Sequence, residues 1–174
     1  AKAVNLSDVI LVEYVPHILN KYFDGLGLRV TIENYKYISK HDVHYEVLIP
    51  ITHSVPTRSD LDLICEVFGG ELYTPIHIYP YEEVSLSSLV KYRGYLVSKG
   101  FKYVYVYGDP THKYAHTYCP KCGNIVLERR MGFLIRSLID RGKCSHCGEP
   151  IYIRGEPKVL KWKYRMSMRD EIVW

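Results

Sequence analysis

The sequence predicts an α/β protein: a body of parallel strands joined by amphipathic helices, then a small module built around four cysteines. Through residues 1–110, short runs rich in Val, Ile and Tyr alternate with longer amphipathic runs, which is the rhythm of parallel strands linked by crossovers. Two Cys-x-x-Cys pairs follow, Cys119/Cys122 and Cys144/Cys147, with 21 residues between them, close to the spacing of a zinc ribbon. The charge also divides at this point. Residues 1–110 hold ten Lys/Arg against thirteen Asp/Glu, a net of −3, and residues 111–174 hold thirteen against six, a net of +7. The formal +4 of the whole chain is therefore an acidic body with a basic end able to meet an anionic partner.

Taken in chain order, "DVILVEYV" (8–15) reads as a buried strand. "VHYEVLIPI" (43–51), "PIHIYPY" (75–81) and "KYVYVYGD" (102–109) read as three more, each carrying Pro or Gly near its end. "SDLDLICEVFGG" (59–70) reads as a helix with Ser59 as N-cap and Gly69-Gly70 as its stop. "SLSSLVKYRGYLVSKG" (85–100) reads as a second, with Leu86, Leu89, Val90, Leu96 and Val97 on one apolar face and Gly100 closing it. "LRVTIENYKYISKHD" (28–42) alternates as a strand would at Leu28, Val30 and Ile32, and also forms a helical stripe at Leu28, Ile32, Tyr35 and Ile38. Helix is preferred there, because two parallel strands need a crossover. "GDPTHKYAHTY" (108–118) marks a hinge, giving a domain over 1–110, a cysteine module over 111–155 and a basic aromatic tail over 156–174.

The chain has 174 residues, 47% apolar and 24% charged, which suits an ordinary globular protein. No run of eighteen apolar residues occurs, and the first residues lack the order of a signal peptide, so a cytoplasmic protein without a membrane role is expected. Seventeen tyrosines, four asparagines and no glutamine point to a heat-adapted, archaeal-type source. The P-loop, nucleophile-elbow and His-Glu-x-x-His patterns are absent, which removes support for those enzyme classes.

A Cys-x-x-Cys turn sets two thiolates on one side of an ion, and two such turns complete a tetrahedron. Each pair is followed by glycine, Gly123 or Gly148, which permits the left-handed turn the motif needs. Cys119, Cys122, Cys144 and Cys147 are thus expected to hold Zn2+ in a closed structural site, with no position left for catalysis. Two disulfides and an iron–sulfur centre are the competing fates of these four residues. His116 and His146 are read as polar neighbours of the site, and Cys65 as a buried apolar residue.

The stretches "KYVYVYGDPTHKYAHTYCPKCGNIVLERRMGF" and "IDRGKCSHCGEPI" resemble the carboxy-terminal end of the radical SAM enzymes of the AmmeMemoRadiSam system, relatives of pyruvate formate-lyase activating enzymes. Upstream, "VHYEVLIPI" is similar to that family's fifth-strand region, "SDLDLICEVFGG" to the helix after it and "TPIHIYPYEEV" to the sixth strand, so the likeness covers residues 8–153. The resemblance implies a parallel (β/α) half-barrel-like domain with a C-terminal zinc ribbon. It also implies a cluster this sequence does not hold: the family's chemistry uses a C-x3-C-x2-C run to bind [4Fe-4S], and Cys65 stands alone. The chain is then an enzyme only as a subunit whose cluster lies on another chain. A half barrel leaves two edges and an inner face open, so another protein chain or self-association is expected to cover it.

The tail "KVLKWKYRMSMR" (158–169) alternates basic with aromatic or apolar residues. Lys158, Lys161, Trp162, Lys163, Tyr164 and Arg165, with Arg129, Arg130, Arg141 and Lys143, are candidate contacts to RNA or the ribosome, since cations neutralise phosphates and aromatics stack on bases. A solvated edge strand guarded by lysines is the competing reading. His53 and His77 are assigned packing or surface roles, with residual SAM-pocket character, implied by the resemblance, as the competing reading. Glu13 and Glu46 are candidates for a polar barrel interior, because a carboxylate on a buried strand needs a partner. The expected function is a non-catalytic zinc-binding pseudoenzyme acting through partners, the alternative an RNA- or ribosome-associated zinc-ribbon factor.

Overall fold

A computed structural model describes residues 9–13, 44–53, 56–153 and 156–159, with backbone alone at 9–13 and 44. The helix expected over 28–42, the side chain of Glu13 and the tail residues Lys161, Trp162, Lys163, Tyr164 and Arg165 lie outside the described residues. The chain divides into two compact units, Ala1–Asp109 and Pro110–Trp174.

In the first unit, β1 (Val9–Glu13), β2 (His44–Ile51), β3 (Ile76–Pro80) and β4 (Val104–Val106) form one sheet in the order β1-β2-β3-β4. All three pairings are parallel. Helix α1 (Arg58–Phe68) connects β2 to β3, and α2 (Leu86–Ser98) connects β3 to β4. Strand order never reverses, so right-handed crossovers place both helices on one face of the sheet. Side chains alternate across a strand, and that face carries Val47, Ile49, Ile51, Ile76, Ile78, Val104 and Val106, all buried. Leu61, Ile64 and Phe68 of α1 and Leu89 and Leu96 of α2 are buried with them. Each such side chain contributes about 1.5–3 kcal/mol of transfer free energy. The alternate positions Glu46, Leu48, His77, Tyr79, Tyr105 and Tyr107 are half-buried or exposed. Parallel sheets are usually apolar on both faces, so this polar, aromatic face is a departure.

The cap of α1 is Thr57 rather than the expected Ser59. Thr57 Oγ1 accepts from the Asp60 N–H at 3.3 Å, and the Asp60 carboxylate accepts from the Thr57 N–H at 2.8 Å, a reciprocal box. Ser59 has the same spacing to Asp62, but that carboxylate is taken by the Tyr95 hydroxyl and by Arg58 at 3.6 Å. Arg58 also sits 3.9 Å from the centre of the Tyr95 ring, so this cluster clamps α1 to α2. Helix α2 starts at Ser85, which accepts from the Ser88 N–H at 3.3 Å, and is pinned to β4 by a bond from Arg93 Nε to the Val104 carbonyl at 3.0 Å. Val97, expected on the apolar face, is 41% exposed: Leu89 and Leu96 lie seven residues apart and fix the buried line, and the residue after Leu96 turns about 100° away. Cys65, expected in the core, is half-buried on α1, where desolvation raises its thiol pKa. The last strand is shorter than its apolar run, and beyond it Gly108 takes φ +80, where a Cβ would press on Pro80 at 3.2 Å.

The second unit opens with a single 3-10 turn, Lys113–Ala115. Strands β5 (Thr117–Tyr118), β6 (Ile125–Arg130) and β7 (Phe133–Ser137) then form an antiparallel sheet, and β8 (Ile139–Asp140) and β9 (Lys143–Cys144) an antiparallel pair. Two-residue turns close both hairpins: Met131-Gly132 at φ 49 and 79, and Arg141-Gly142 at φ 47 and 75. Positive φ at both central residues matches the right-handed strand twist, and glycine at the second removes half of its cost. The core is small: Cys119, Val126, Cys144 and Ile151, with Ile139, Cys147 and Ile153 packed against it. Among the described residues, no helix is long and apolar enough to cross a membrane.

Candidate metal centre

Two hydrogen-bonded turns of one design position the four cysteines. In the first, the Gly123 N–H donates to the Cys119 carbonyl at 3.0 Å and the Cys119 N–H to the Asn124 carbonyl at 2.8 Å. In the second, the Gly148 N–H donates to the Cys144 carbonyl at 2.8 Å and the Cys144 N–H to the Glu149 carbonyl at 2.8 Å. Gly123 and Gly148 take φ 71 and 74, the left-handed conformation expected of them. Bonds from the Leu138 N–H to the Val126 carbonyl (2.7 Å) and from the Ser145 N–H to the Leu138 carbonyl (3.1 Å) tie the second turn to the sheet that carries the first.

The result is a group of four Sγ atoms all within 4.8 Å of one another. Cys119 Sγ lies 3.6 Å from Cys147 Sγ, and Cys122 Sγ lies 3.8 Å from Cys144 Sγ. Thiolates bound about 2.3 Å from one tetrahedral ion sit about 3.8 Å apart, so this group can hold a metal ion. All four cysteines are free, and no disulfide joins them. Cys119 and Cys144 are buried, Cys147 half-buried and Cys122 exposed.

Their protons are unevenly held. The backbone N–H at Asn124 and then its side chain, whose Nδ2 donates to Cys122 Sγ at 3.3 Å, lower the Cys122 thiol to about 6. At Cys147 the amide of Glu149 pulls down, yet desolvation and the shared bonds with Cys122, Cys119 and Cys144 push the thiol up to about 12. Four clustered sulfurs resist carrying four charges, and a cation placed among them removes that resistance.

The neighbouring histidines take other roles. His116 Nδ1 accepts from the Arg129 N–H at 3.2 Å, and His146 is exposed and outside the sulfur group. Arg129 donates through its guanidinium to the Ala115 carbonyl at 3.1 Å and to Thr117 Oγ1 at 2.7 Å, fastening the 3-10 turn to β6. Arg130, Arg141, Lys143 and Lys158 are exposed, with Arg130 and Arg141 beside the two hairpin turns. Arg136, which sequence reasoning passed over, pairs with Glu128 at 2.7 Å across the β6–β7 ladder. Asn124 was also missed; an amide side chain directly after Cys-x-x-Cys-Gly was its only signal.

In the first unit Glu46 has the partner its strand position demands. Glu46 Oε2 and His77 Nε2 are 2.6 Å apart, and His77 Nδ1 is 3.3 Å from the Tyr107 hydroxyl. His53 instead meets Glu82 through both its backbone N–H (3.0 Å) and its ring (2.8 Å).

No family model and no solved structure matches the chain. It is similar to an uncharacterized archaeal protein from Methanocaldococcus jannaschii, 26% identical over 130 residues that make up 74% of this chain and 38% of the relative. The chain spans well under half the length of that relative.

Proposed function

We propose that this chain is a zinc-ribbon protein whose ion is structural, joined to a (β/α) half-barrel of radical SAM ancestry, and that it acts through a second protein chain with no chemistry at its metal. The observation that carries this reading is the set of four sulfurs all within 4.8 Å of one another, two of their separations at the tetrahedral edge length, presented by two turns of one design. Zinc suits four thiolates in a tetrahedron and fills all its positions with them. A multi-iron cluster would spread the sulfurs around a cube of metal and sulfide instead of one ion. The half-barrel reading draws support from the unreversed order of four parallel strands with both crossovers on one face. The partner reading rests on the other face, whose polar and aromatic side chains no described helix covers. Nucleic-acid contact has less support, because Arg129 is spent inside its own unit.

Elemental analysis and light scattering on the purified chain test this together. The expected result is about one zinc per chain, with a mass above that of a monomer or a second chain co-purifying. A [4Fe-4S] cluster with cleavage of S-adenosylmethionine by the chain alone would overturn it, as would a metal-free monomer with an ordered ribbon.

A further inference from the structure

The face of the parallel sheet that no described helix covers holds a line of three hydrogen-bonding groups from three strands. Glu46 stands on β2, His77 on β3 and Tyr107 directly after β4. We propose that Tyr107 is the working end of a proton relay, Tyr107–His77–Glu46, that exchanges a proton with a neutral or cationic ligand bound on this face. The proposal goes beyond the structural zinc reading, since it gives the first unit chemistry of its own.

The tautomer follows from the partners. A carboxylate only accepts, so the 2.6 Å contact places the imidazole proton on Nε2 facing Glu46. In the neutral ring Nδ1 is then the acceptor, and the Tyr107 hydroxyl, 3.3 Å away, donates to it. Bonds of this kind are often long without a ligand and shorten when one binds. His77 is held firmly in place, with its side chain 13% exposed and its ring stacked on Tyr105, its ladder partner, with centroids 5.2 Å apart and planes at 25°. Tyr107, by contrast, is 45% exposed and reaches solvent. A rigid, shielded carboxylate–imidazole pair behind an accessible phenol is the arrangement of a positioned acid–base group.

The surroundings narrow the ligand. No lysine or arginine occurs in residues 44–57, 74–85 or 103–112, which supply β2 to β4 and the segments after them, whereas Glu46, Glu82, Glu83 and Asp109 do. The described strands and the segments after them therefore offer a phosphate or carboxylate no counter-charge and favour a hydroxyl compound or a protonated amine. Parallel sheets bind ligands at the carboxyl ends of their strands, where Tyr107 stands. In the forward direction the ligand's proton passes to the Tyr107 oxygen, and the tyrosine's own proton passes to His77 Nδ1. The resulting imidazolium is held by the Glu46 carboxylate, and the reverse transfer restores every group. No electrons move and no co-reactant is consumed.

A neighbouring tyrosine supplies the control. Tyr79 is 44% exposed and its ring lies 5.8 Å from that of Tyr107, but of the two only Tyr107 reaches His77. The probe is an aryl sulfonyl fluoride, with labelling read by peptide mass spectrometry. The phenol oxygen forms an S–O bond, fluoride leaves, and the phenolic proton goes to His77 Nδ1. Tyr107 should label more than about tenfold faster than Tyr79, since general-base assistance is typically worth 10²–10⁴. His77→Gln should bring Tyr107 down to the Tyr79 rate while leaving Tyr79 unchanged. Glu46→Gln should lower the Tyr107 rate, and Glu46→Asp should restore part of it. Equal labelling of the two tyrosines in the unmodified chain overturns the relay whether or not any variant folds, and an unchanged ratio in His77→Gln overturns it as well. Zinc content is read separately, so failure of the relay and failure of the zinc reading are distinguishable.

Discussion

The first unit buries Phe68, Phe101, Ile49, Ile51, Ile64, Ile76, Ile78, Leu89 and Leu96 almost completely. The core cluster of the second unit offers Val126, Ile151 and two cysteine side chains. Among the described residues, so few apolar groups cannot offset the entropy of ordering this module by burial alone. The first unit is held by apolar contact spread over many side chains; the second, on the proposed reading, is held by four metal–sulfur bonds converging on one point. A distributed core loses stability in increments as side chains are trimmed. A convergent centre fails all at once when one ligand is removed, because metal binding and folding of such a module are the same event.

The largest expected effect is therefore Cys144→Ala. Structural zinc contributes apparent binding free energies of about 10–16 kcal/mol in small modules, so this variant should lose its metal and its second unit. Amide NMR should show collapsed signals from residues 117–153 and unchanged signals from residues 44–106. Phe68→Ala should act on the other side of the contrast, costing about 3–5 kcal/mol through a cavity under the sheet. Denaturant melts should show that loss in the first unit only, with zinc content preserved. Thr57→Ala removes one half of the α1 capping box and should cost about 1 kcal/mol, read as a small drop in the same transition. The smallest effect concerns Asp62. The Tyr95 hydroxyl, opposed by desolvation and aided by Arg58 and Lys99, holds its carboxyl below the usual range. A folded value below the unfolded one adds stability above the ordinary carboxylate range and loses it as pH falls through the folded value. Asp62 is solvent-accessible, so Asp62→Asn should flatten the acid side of the melting curve only slightly.

Much of this organisation was legible in the sequence. The four strands lie within the β-branched and aromatic runs, because alternation of Val47, Ile49 and Ile51 leaves one face no option but burial. The left-handed glycines after each Cys-x-x-Cys were readable for the same reason: few other residues tolerate that φ. What escaped depends on contacts distant in sequence. Thr57 outcompetes Ser59 as the cap because Tyr95, thirty-three residues past Asp62, claims the carboxylate Ser59 would need. Val97 lies beyond the buried line that Leu89 and Leu96 set on α2. The bonds of Arg129 to Ala115 and Thr117 likewise depend on β6 and have no local signal. The pairing of Glu46 with His77 joins residues 31 apart through a strand register that no local pattern encodes.

Hydrogen exchange on the chain before and after removal of metal by a chelator tests the central contrast most directly. With metal bound, amides of both units should be protected, including Cys119, Gly123, Cys144 and Gly148, whose N–H groups close the two turns. After chelation, protection should vanish across residues 117–153 and persist across β2 to β4. Persistent protection of the second unit without metal, or equal loss in both units, would contradict the account.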